Sequence, residues 1–232
     1  MEKQKYTAIV LAAGSGKRMN SKVHKQYLII QDRPVLYYSL KAFEDSAVDE
    51  IVLVVGKGEE KFCRKEIVDK YGISKVKAIV EGGKERYHSV FEGLKQTSDA
   101  DYVLIHDGAR PFVNQDIIRR CMQEVQKYQA CVVGMPVKDT IKIADEEGYA
   151  KQTPDRKNVW MIQTPQTFLY ALIYEAYEEM LKTEDTAITD DAMVLERIKG
   201  KKSKLIEGSY RNIKITTPED LLIANVYLQH PE

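Results

Sequence analysis

A run of small residues that ends in two cations lies near the N-terminus of this 232-residue chain. It spans residues 12–18, reads Ala-Ala-Gly-Ser-Gly-Lys-Arg and follows the apolar stretch 7–11. Small residues let backbone N–H groups approach an anion closely, and Arg18 and nearby Lys25 would balance the charge of a triphosphate. The spacing matches neither the dinucleotide-binding nor the Walker motif. It therefore predicts another kind of phosphate-binding loop, with a plain tight turn as the alternative.

A second cluster, residues 106–111, reads His-Asp-Gly-Ala-Arg-Pro and follows another predicted strand. Asp107 at the carboxyl end of a strand suits Mg²⁺, which takes one or two carboxylates together with substrate phosphates. The alternative is a turn in which Asp107 pairs with Arg110. We predict a structural role for His106 rather than general-base catalysis, because group transfer from a triphosphate depends mainly on positioning and charge neutralisation.

A third loop, residues 82–89, contains a glycine pair that leads into a predicted helix. Glycines before a helix N-terminus suit close contact with a nucleobase or ribose, so Gly83 and Ser89 are candidate nucleotide-binding residues. A simple strand-to-helix turn is the alternative. Arg156 and Lys214 lie in polar segments far apart in the sequence, and their surroundings alone would make each a surface cation.

Short apolar runs alternate with helical patterns through the first 135 residues. The alternation predicts an α/β fold with a Rossmann-like, doubly wound, mostly parallel sheet. Ligands of such sheets bind beyond the carboxyl ends of the strands, where all three loops lie. The predicted strands are 7–11, 51–55, 77–80, 102–105 and 130–135, and the predicted helices are 34–43, a charged helix that ends near 71, 85–94 and 117–128.

The pattern changes after Pro136, where residues 137–160 become polar and alternating around a turn at Gly148. This predicts a protruding β-hairpin arm at about 136–160, within a single domain of residues 1–232. Exposed strand edges often pair with a second copy of the chain, so we predict a homodimer; a flexible insertion is the alternative. Beyond the arm we predict helices at 169–181 and 190–197, a strand at 212–215 and a helix that starts at 217–220.

Charge and cysteine content exclude several classes of protein. Lys plus Arg and Asp plus Glu both number 35, which leaves no basic excess for nucleic-acid binding. The three cysteines form no Cys-x-x-Cys pair, which argues against a disulfide framework or a zinc site. No apolar stretch reaches the roughly 18 residues of a membrane helix. We therefore expect a cytoplasmic protein that binds neither nucleic acid nor membrane.

Nine segments, taken in order, carry a family resemblance. They are LAAGSGKRM, HKQYL, EGGKER, HDGARP, PVKDTIK, TPDR, QTPQ, AITDDA and NIKITTPED. Together they cover nearly the whole chain, which resembles the 2-C-methyl-D-erythritol 4-phosphate cytidylyltransferases of the non-mevalonate isoprenoid pathway. The first segment alone is typical of the wider nucleotidyltransferase superfamily, whereas HDGARP with TPDR and NIKIT is more specific.

The resemblance implies a reaction of CTP with a polyol phosphate that releases pyrophosphate and uses a divalent metal, for which we expect Mg²⁺ with Asp107 as a ligand. Arg18 and Lys25 would stabilise the charged transition state. The acceptor side would comprise Arg156, Lys214, Asp107, Arg110, Thr140 and Thr189. The nucleotide side would comprise Ala12, Ala13, Gly14, Ser15, Gly16, Gly83 and Ser89. The arm would carry Arg156 into the site of a second subunit.

One residue departs from the family pattern, and two other functions stay open. His24 stands where the family usually has proline before the lysine, which removes a fixed φ and adds a titratable ring. A ribitol-5-phosphate cytidylyltransferase of cell-wall polymer synthesis is the nearer alternative, although such enzymes usually carry Gly-Gly in place of Ala13-Gly14. The other is a non-catalytic nucleotide-binding protein on the same fold. The joint presence of Arg18, Lys25, Asp107, Arg156 and Lys214 argues against it.

Overall fold

A seven-stranded sheet forms the centre of the protein in a computed structural model that describes residues 3–14, 19, 24–183 and 187–230. The strands are β1 (Tyr6–Ala12), β2 (Ile29–Ile30), β3 (Arg33–Pro34), β4 (Glu50–Val55), β5 (Val76–Glu81), β6 (Tyr102–Asp107), β7 (Ala130–Pro136), β8 (Ile143–Ala144), β9 (Ala150–Gln152), β10 (Trp160–Leu169) and β11 (Lys204–Glu207). The order in the sheet is β11-β7-β10-β6-β1-β4-β5. Within this seven-stranded sheet, all neighbouring strands are parallel except β10, which runs antiparallel to both β6 and β7.

Helices cover both faces of the sheet. They are α1 (Val35–Glu44), α2 (Glu60–Cys63, continued by a π-helical turn Arg64–Asp69), α3 (Arg86–Leu94), α4 (Gln115–Tyr128), α5 (Tyr170–Met180), α6 (Asp191–Lys199) and α7 (Pro218–Gln229). Successive β1 side chains point to opposite faces. Ala8 and Val10 pack in the core under α1 and α4, and Ile9 packs in the core under α3, α5 and α6. Burial on both faces explains why β1 and β4 are apolar almost throughout.

The structure confirms the α/β class and the five strands predicted in the first 135 residues, each within one or two residues of its expected ends. The helix predicted from residue 217 is also present: Thr217 is its N-cap, and Asp220 completes a capping box. The cysteines Cys63, Cys121 and Cys131 are buried and have free thiols.

Two expectations about strands were wrong. Residues 160–169 form the central strand β10, for which no strand was predicted. Residues 212–215 form no strand, because the N–H of Ile215 bonds to the carbonyl of Ala109 in a loop and the carbonyl of Asn212 accepts from the Arg110 guanidinium. A single loop contact of this kind does not extend into a ladder.

The hairpin predicted after Pro136 is present. Strands β8 and β9 pair antiparallel, all five of their residues are exposed, and Gly148 in the turn has a φ of +89°. The hairpin is rooted in the sheet, since Pro136 pairs with Trp160 across β7 and β10. We call residues 136–160 the arm. Among the described residues, no helix has the length and apolar character needed to cross a membrane.

Candidate active site

A cavity of about 370 Å³ opens where β1 and β6 end. Its volume lies in the range of small-molecule sites, about 300–1,000 Å³, and it lies at the edge that an α/β sheet offers to ligands. The residues predicted from separate loops and found together in its walls are Ala12, Ala13, Gly14, Lys25, Gly83, Ser89, Asp107 and Lys214. The structure therefore brings eight predicted site residues into one cavity.

The wall of this cavity that contains Gly83 has no room for a side chain at that position. A Cβ atom on Gly83 would lie 2.3 Å from the Cβ of His88, so a larger residue would displace the first turn of α3. The Gly83 N–H donates to the Ser89 hydroxyl at 3.1 Å, and Glu85 and His88 close a capping box at the N-terminus of α3. This fixed, positive end of a helix favours a bound anion.

A second cavity of about 290 Å³ adjoins the first and shares Arg86, Asp107 and Lys214 with it. Arg110 and Thr189, both predicted on the acceptor side, line this second cavity. Two adjoining cavities with a common set of charges provide room for two substrates side by side.

Asp107 is the negative centre between the two cavities. Its carboxylate lies 2.9 Å from Lys214 Nζ, 3.2 Å from Arg86 Nε and 3.8 Å from Arg110 Nε. Burial alone would raise the pKa of Asp107, but the attraction of these three cations lowers it well below the usual range. Asp107 therefore stays ionised and fixes the cations around it.

Arg86 joins Asp107 to a second, fully buried carboxylate. Its guanidinium forms a bidentate pair with Asp191, at 2.8 and 2.9 Å, and Asp191 also accepts from the Tyr177 hydroxyl at 2.6 Å. No role was predicted from the sequence for Arg86, Asp191 or Tyr177. The sequence signal for Arg86 was its place at the first position of a helix that follows a glycine pair. Asp191 and Tyr177 had no local signal, because they lie about 100 residues from Arg86 in the chain.

His106 is structural, as predicted. The ring is fully buried; Nδ1 lies 2.9 Å from the Thr164 hydroxyl and Nε2 lies 3.2 Å from the Arg110 carbonyl. Because the Thr164 oxygen accepts from the Asp107 N–H, its own proton is available to Nδ1, and Nε2 then carries the ring proton. Burial lowers the pKa of His106 to about 4, so the ring is neutral at neutral pH.

The contacts of Asp107 do not suit it to hold a divalent cation. Cationic side chains contact both oxygens of Asp107, which leaves the carboxylate electrostatically unsuited to a divalent cation. In the part of the chain that the structure describes, no three His, Cys, Asp or Glu side chains converge. This arrangement gives no support to the expectation that Asp107 is a metal ligand.

Some predicted site residues lie elsewhere. Thr140 and Arg156 are exposed on the arm, where Arg156 donates to the Lys138 carbonyl at 2.8 Å, and neither lines the cavities of its own chain. Ser15, Gly16 and Arg18 lie outside the described residues, so the fold gives no geometry for them.

A doubly wound sheet with a loop of small residues, a helix N-terminus and several cations at its carboxyl edge is the arrangement of a nucleotidyltransferase. Residues 6–230 match the family model IspD, 2-C-methyl-D-erythritol 4-phosphate cytidylyltransferase, and the chain belongs to this family.

Individual relatives agree over nearly their full lengths. The 2-C-methyl-D-erythritol 4-phosphate cytidylyltransferases of Lachnospira eligens and Lachnoclostridium phytofermentans are 53% and 51% identical to this chain. The alignments cover 96% and 97% of the chain, and 99% and 97% of the respective relatives. The crystal structure of 4-diphosphocytidyl-2C-methyl-D-erythritol synthase from Anaerococcus prevotii is 38% identical with a TM-score of 0.86, covering 98% of this chain and 97% of that one. The chain is therefore an enzyme of the cytidylyltransferase class.

Proposed function

We propose that the protein transfers the cytidylyl group of CTP to 2-C-methyl-D-erythritol 4-phosphate and releases pyrophosphate. The observation that carries the proposal is the cavity in which the small residues after β1 and the N-terminus of α3 meet Lys25 and Lys214. Membership of the family supplies the two substrates. A phosphate oxygen of the acceptor attacks the α-phosphorus of CTP, a P–O bond forms there, and the bond to the bridging oxygen breaks as pyrophosphate leaves.

Lys25 would stabilise the charge that grows on the phosphates during this displacement. It lines the cavity from the turn Lys25–Tyr27, and an ammonium there acts as a compact point charge. Arg18 would serve the β- and γ-phosphates with a planar set of donors. A divalent cation, expected to be Mg²⁺, would accompany the triphosphate oxygens, since Asp107 is occupied by cations.

The acceptor would occupy the second cavity. Lys214 and Arg110 supply positive charge for its phosphate, while Thr189 and Asp107 offer hydrogen-bonding groups for its hydroxyls. Thr140 and Arg156 would complete this cavity from the arm of a second subunit, which makes the proposed enzyme a homodimer. Their exposure on the arm supports a role outside their own chain. Action in the cytoplasm stays a prediction from the sequence.

A pyrophosphate-release assay tests the proposal. We expect turnover of CTP with methylerythritol phosphate and less than one-hundredth of that rate with ribitol 5-phosphate. Lys25→Ala should lose about 3 kcal/mol or more of transition-state stabilisation, at least a hundredfold in rate. Lys57→Ala, in an exposed loop outside both cavities, is the control. Turnover with ribitol phosphate alone would establish the alternative substrate, and a fully active Lys25→Ala variant would remove the lysine from the mechanism.

A further inference from the structure

One carboxylate contacts residues at both ends of the turn that carries Lys25. Glu59 lies in the loop between β4 and α2, and its Oε1 is 2.8 Å from Nδ1 of His24, the residue before the turn. Its Oε2 accepts from the Tyr27 hydroxyl at 2.7 Å, at the last residue of the turn. Lys25 lies between these two contacts. A shift of Glu59 would therefore release both ends of the turn together.

The backbone of its own loop fixes the Glu59 carboxylate. The N–H of Gly56 donates to its Oε2 at 3.0 Å, and a Cβ atom on Gly56 would lie only 2.6 Å from that oxygen. The loop thus closes tightly on the carboxylate, whose side chain is 19% exposed. The Tyr27 hydroxyl has a second contact, since it lies 3.0 Å from Cys63 Sγ. Burial raises the pKa of Tyr27, so its hydroxyl keeps the proton that it donates to Glu59.

The backbone of His24 has the shape that a proline would impose. Its φ of −61° and ψ of 138° lie in the extended region to which a proline ring restricts the chain, with φ of about −65°. Histidine has no ring closure to the backbone, so the same shape depends on its side chain, which stacks on Tyr27 with ring centroids 6.3 Å apart and contacts Glu59. A proline restraint of this kind changes the ordered population by about two- to fivefold.

We propose that Glu59 and His24 are positioning residues for Lys25, which together hold the Lys25–Tyr27 turn in the shape needed for transfer. The inference rests on the proposed role of Lys25. Reactive groups must be placed to within a fraction of an ångström, and a misplacement of about 1 Å costs on the order of a hundredfold in rate. Neither residue lines the two cavities, so both would act through the lysine.

Amide hydrogen exchange tests the clamp without reference to catalysis. The N–H groups of Tyr27 and Leu28 bond to the carbonyls of His24 and Lys25 at 2.9 and 3.3 Å, so their exchange reports the order of the turn. We expect at least fivefold faster exchange in Glu59→Ala. Glu60→Ala, which removes the next carboxylate along the chain, is the matched control and should exchange like the wild type. Equal exchange in the wild type and Glu59→Ala overturns the clamp.

Kinetics test the consequence for the reaction. Glu59→Ala should lower kcat at least tenfold and change KM for CTP by less than threefold, because the nucleotide walls do not include Glu59. Glu59→Gln keeps an oxygen for Tyr27 and Gly56 and should lose less. Adding His24→Pro to Glu59→Ala should recover about two- to fivefold in kcat, because the ring restores the restraint on φ. A merely structural Glu59 would lower the melting temperature and leave kcat per folded enzyme unchanged, which overturns the proposal, as does the absence of recovery with proline.

The two levels of inference fail in different ways. Wild-type turnover in Lys25→Ala overturns the proposed function, whatever the amide exchange of the turn. Loss of turnover in Lys25→Ala together with unchanged exchange and unchanged kcat in Glu59→Ala overturns the clamp and leaves the proposed function standing.

Discussion

Asp107, Arg86 and Asp191 form a row of alternating charges. Removing any one of them would leave a neighbouring charge without its partner. Asp191 is fully buried, and Arg86 donates two hydrogen bonds to it while its Nε contacts Asp107. A buried carboxylate without its cation is costly, and breaking such a pair by removing one partner typically costs about 3–5 kcal/mol. The same contacts set the position of Asp107 between the two cavities. Stability and the position of Asp107 thus depend on one arginine.

We predict that Arg86→Ala lowers the free energy of unfolding by about 3–5 kcal/mol, because it leaves Asp191 buried without a cation. Lys95→Ala on the same helix is the control: its pair with Glu92 is exposed and contributes about 1 kcal/mol or less. Urea unfolding at neutral pH measures both. Similar losses in the two variants would show that the buried network contributes no more than a surface pair.

The buried ring of His106 makes the free energy of unfolding depend on pH. As for a carboxylate whose pKa is lowered in the fold, this free energy falls as pH falls. Its pKa is lowered from about 6.5 in the unfolded chain to about 4 in the fold. Between these values the unfolded chain binds a proton that the native protein does not, so stability falls as pH falls. The contribution is fully present above pH 6.5 and decreases towards pH 4.

We expect this residue alone to remove about 2 kcal/mol of stability between pH 7 and pH 5. Urea unfolding at both pH values should show a smaller pH-dependent loss in His106→Gln than in the wild type, even though the variant is less stable at pH 7. His230→Gln, near the end of α7, is the control and should keep the wild-type difference. An unchanged difference in His106→Gln would mean that the buried ring does not titrate as described.

At the scale of elements, our proposal gives the arm residues that would serve the site of a second subunit. Its two short strands are wholly exposed, and Ile143 and Tyr149 are 45% and 70% exposed, an unusual display of apolar surface on a thin hairpin. Isolated two-stranded hairpins are marginally stable in water. Packing against a second subunit would supply the burial that the hairpin lacks.

We predict that Arg156→Ala raises KM for the acceptor at least tenfold and leaves KM for CTP within twofold, because the arm would contact only the acceptor's phosphate. Lys157→Ala, which removes the neighbouring exposed cation paired with Asp155, is the matched control. Steady-state kinetics with each substrate varied in turn provides the measurement. A rise confined to KM for CTP would instead place Arg156 on the nucleotide side.

The elements differ in how far their residues predict them. Strands β1 and β4 were predictable because burial on both faces leaves an unbroken apolar run. Strand β10 was not, since Gln163, Thr164, Pro165 and Gln166 interrupt it, and proline usually marks an edge strand. These polar residues are nevertheless buried or satisfied by partners from afar: Asn212 donates to the Thr164 carbonyl, and Gln166 donates to Asp190. Only the folded chain reveals such partners.

The residues of the site also differ in how far the sequence predicts them. Local motifs indicated Lys25 and Asp107, whereas only the family resemblance indicated Lys214, and the fold brings all three to one cavity. The supports of these residues went unpredicted, since Glu59 and Asp191 have no local pattern of their own. A carboxylate that orients another side chain is indistinguishable in sequence from one that faces solvent.

At the scale of the whole molecule, the proposed division of the site between two chains makes activity a property of the dimer. An isolated subunit would hold the nucleotide cavity complete and the acceptor cavity open on one side. Symmetric dimers of this kind contain two equivalent sites, each with a cavity from one chain and an arm from the other. Defects in the cavity and in the arm can therefore be separated onto different chains.

We predict complementation between two defective chains. A heterodimer of Lys25→Ala with Arg156→Ala would contain one site with both defects and one with neither. Purified through two different tags and assayed with the acceptor well below its wild-type KM, it should show about half of wild-type activity, while each parent homodimer stays low. Sedimentation of the wild type at micromolar concentration should show a dimer. Heterodimer activity no higher than that of the parents would place Arg156 in the site of its own chain.

The root of the arm has a mechanical consequence. The chain enters the arm from β7 and returns through β10, and both strands belong to the interior of the sheet, where β10 is bonded on each side. Tension along the arm would act parallel to these strands and load many hydrogen bonds at once in shear, so they would resist together. The base of the arm should therefore be rigid, and the arm should move together with the sheet. A small twist of the central sheet would become a larger displacement at the tip, the part of the arm that our proposal places against a second subunit.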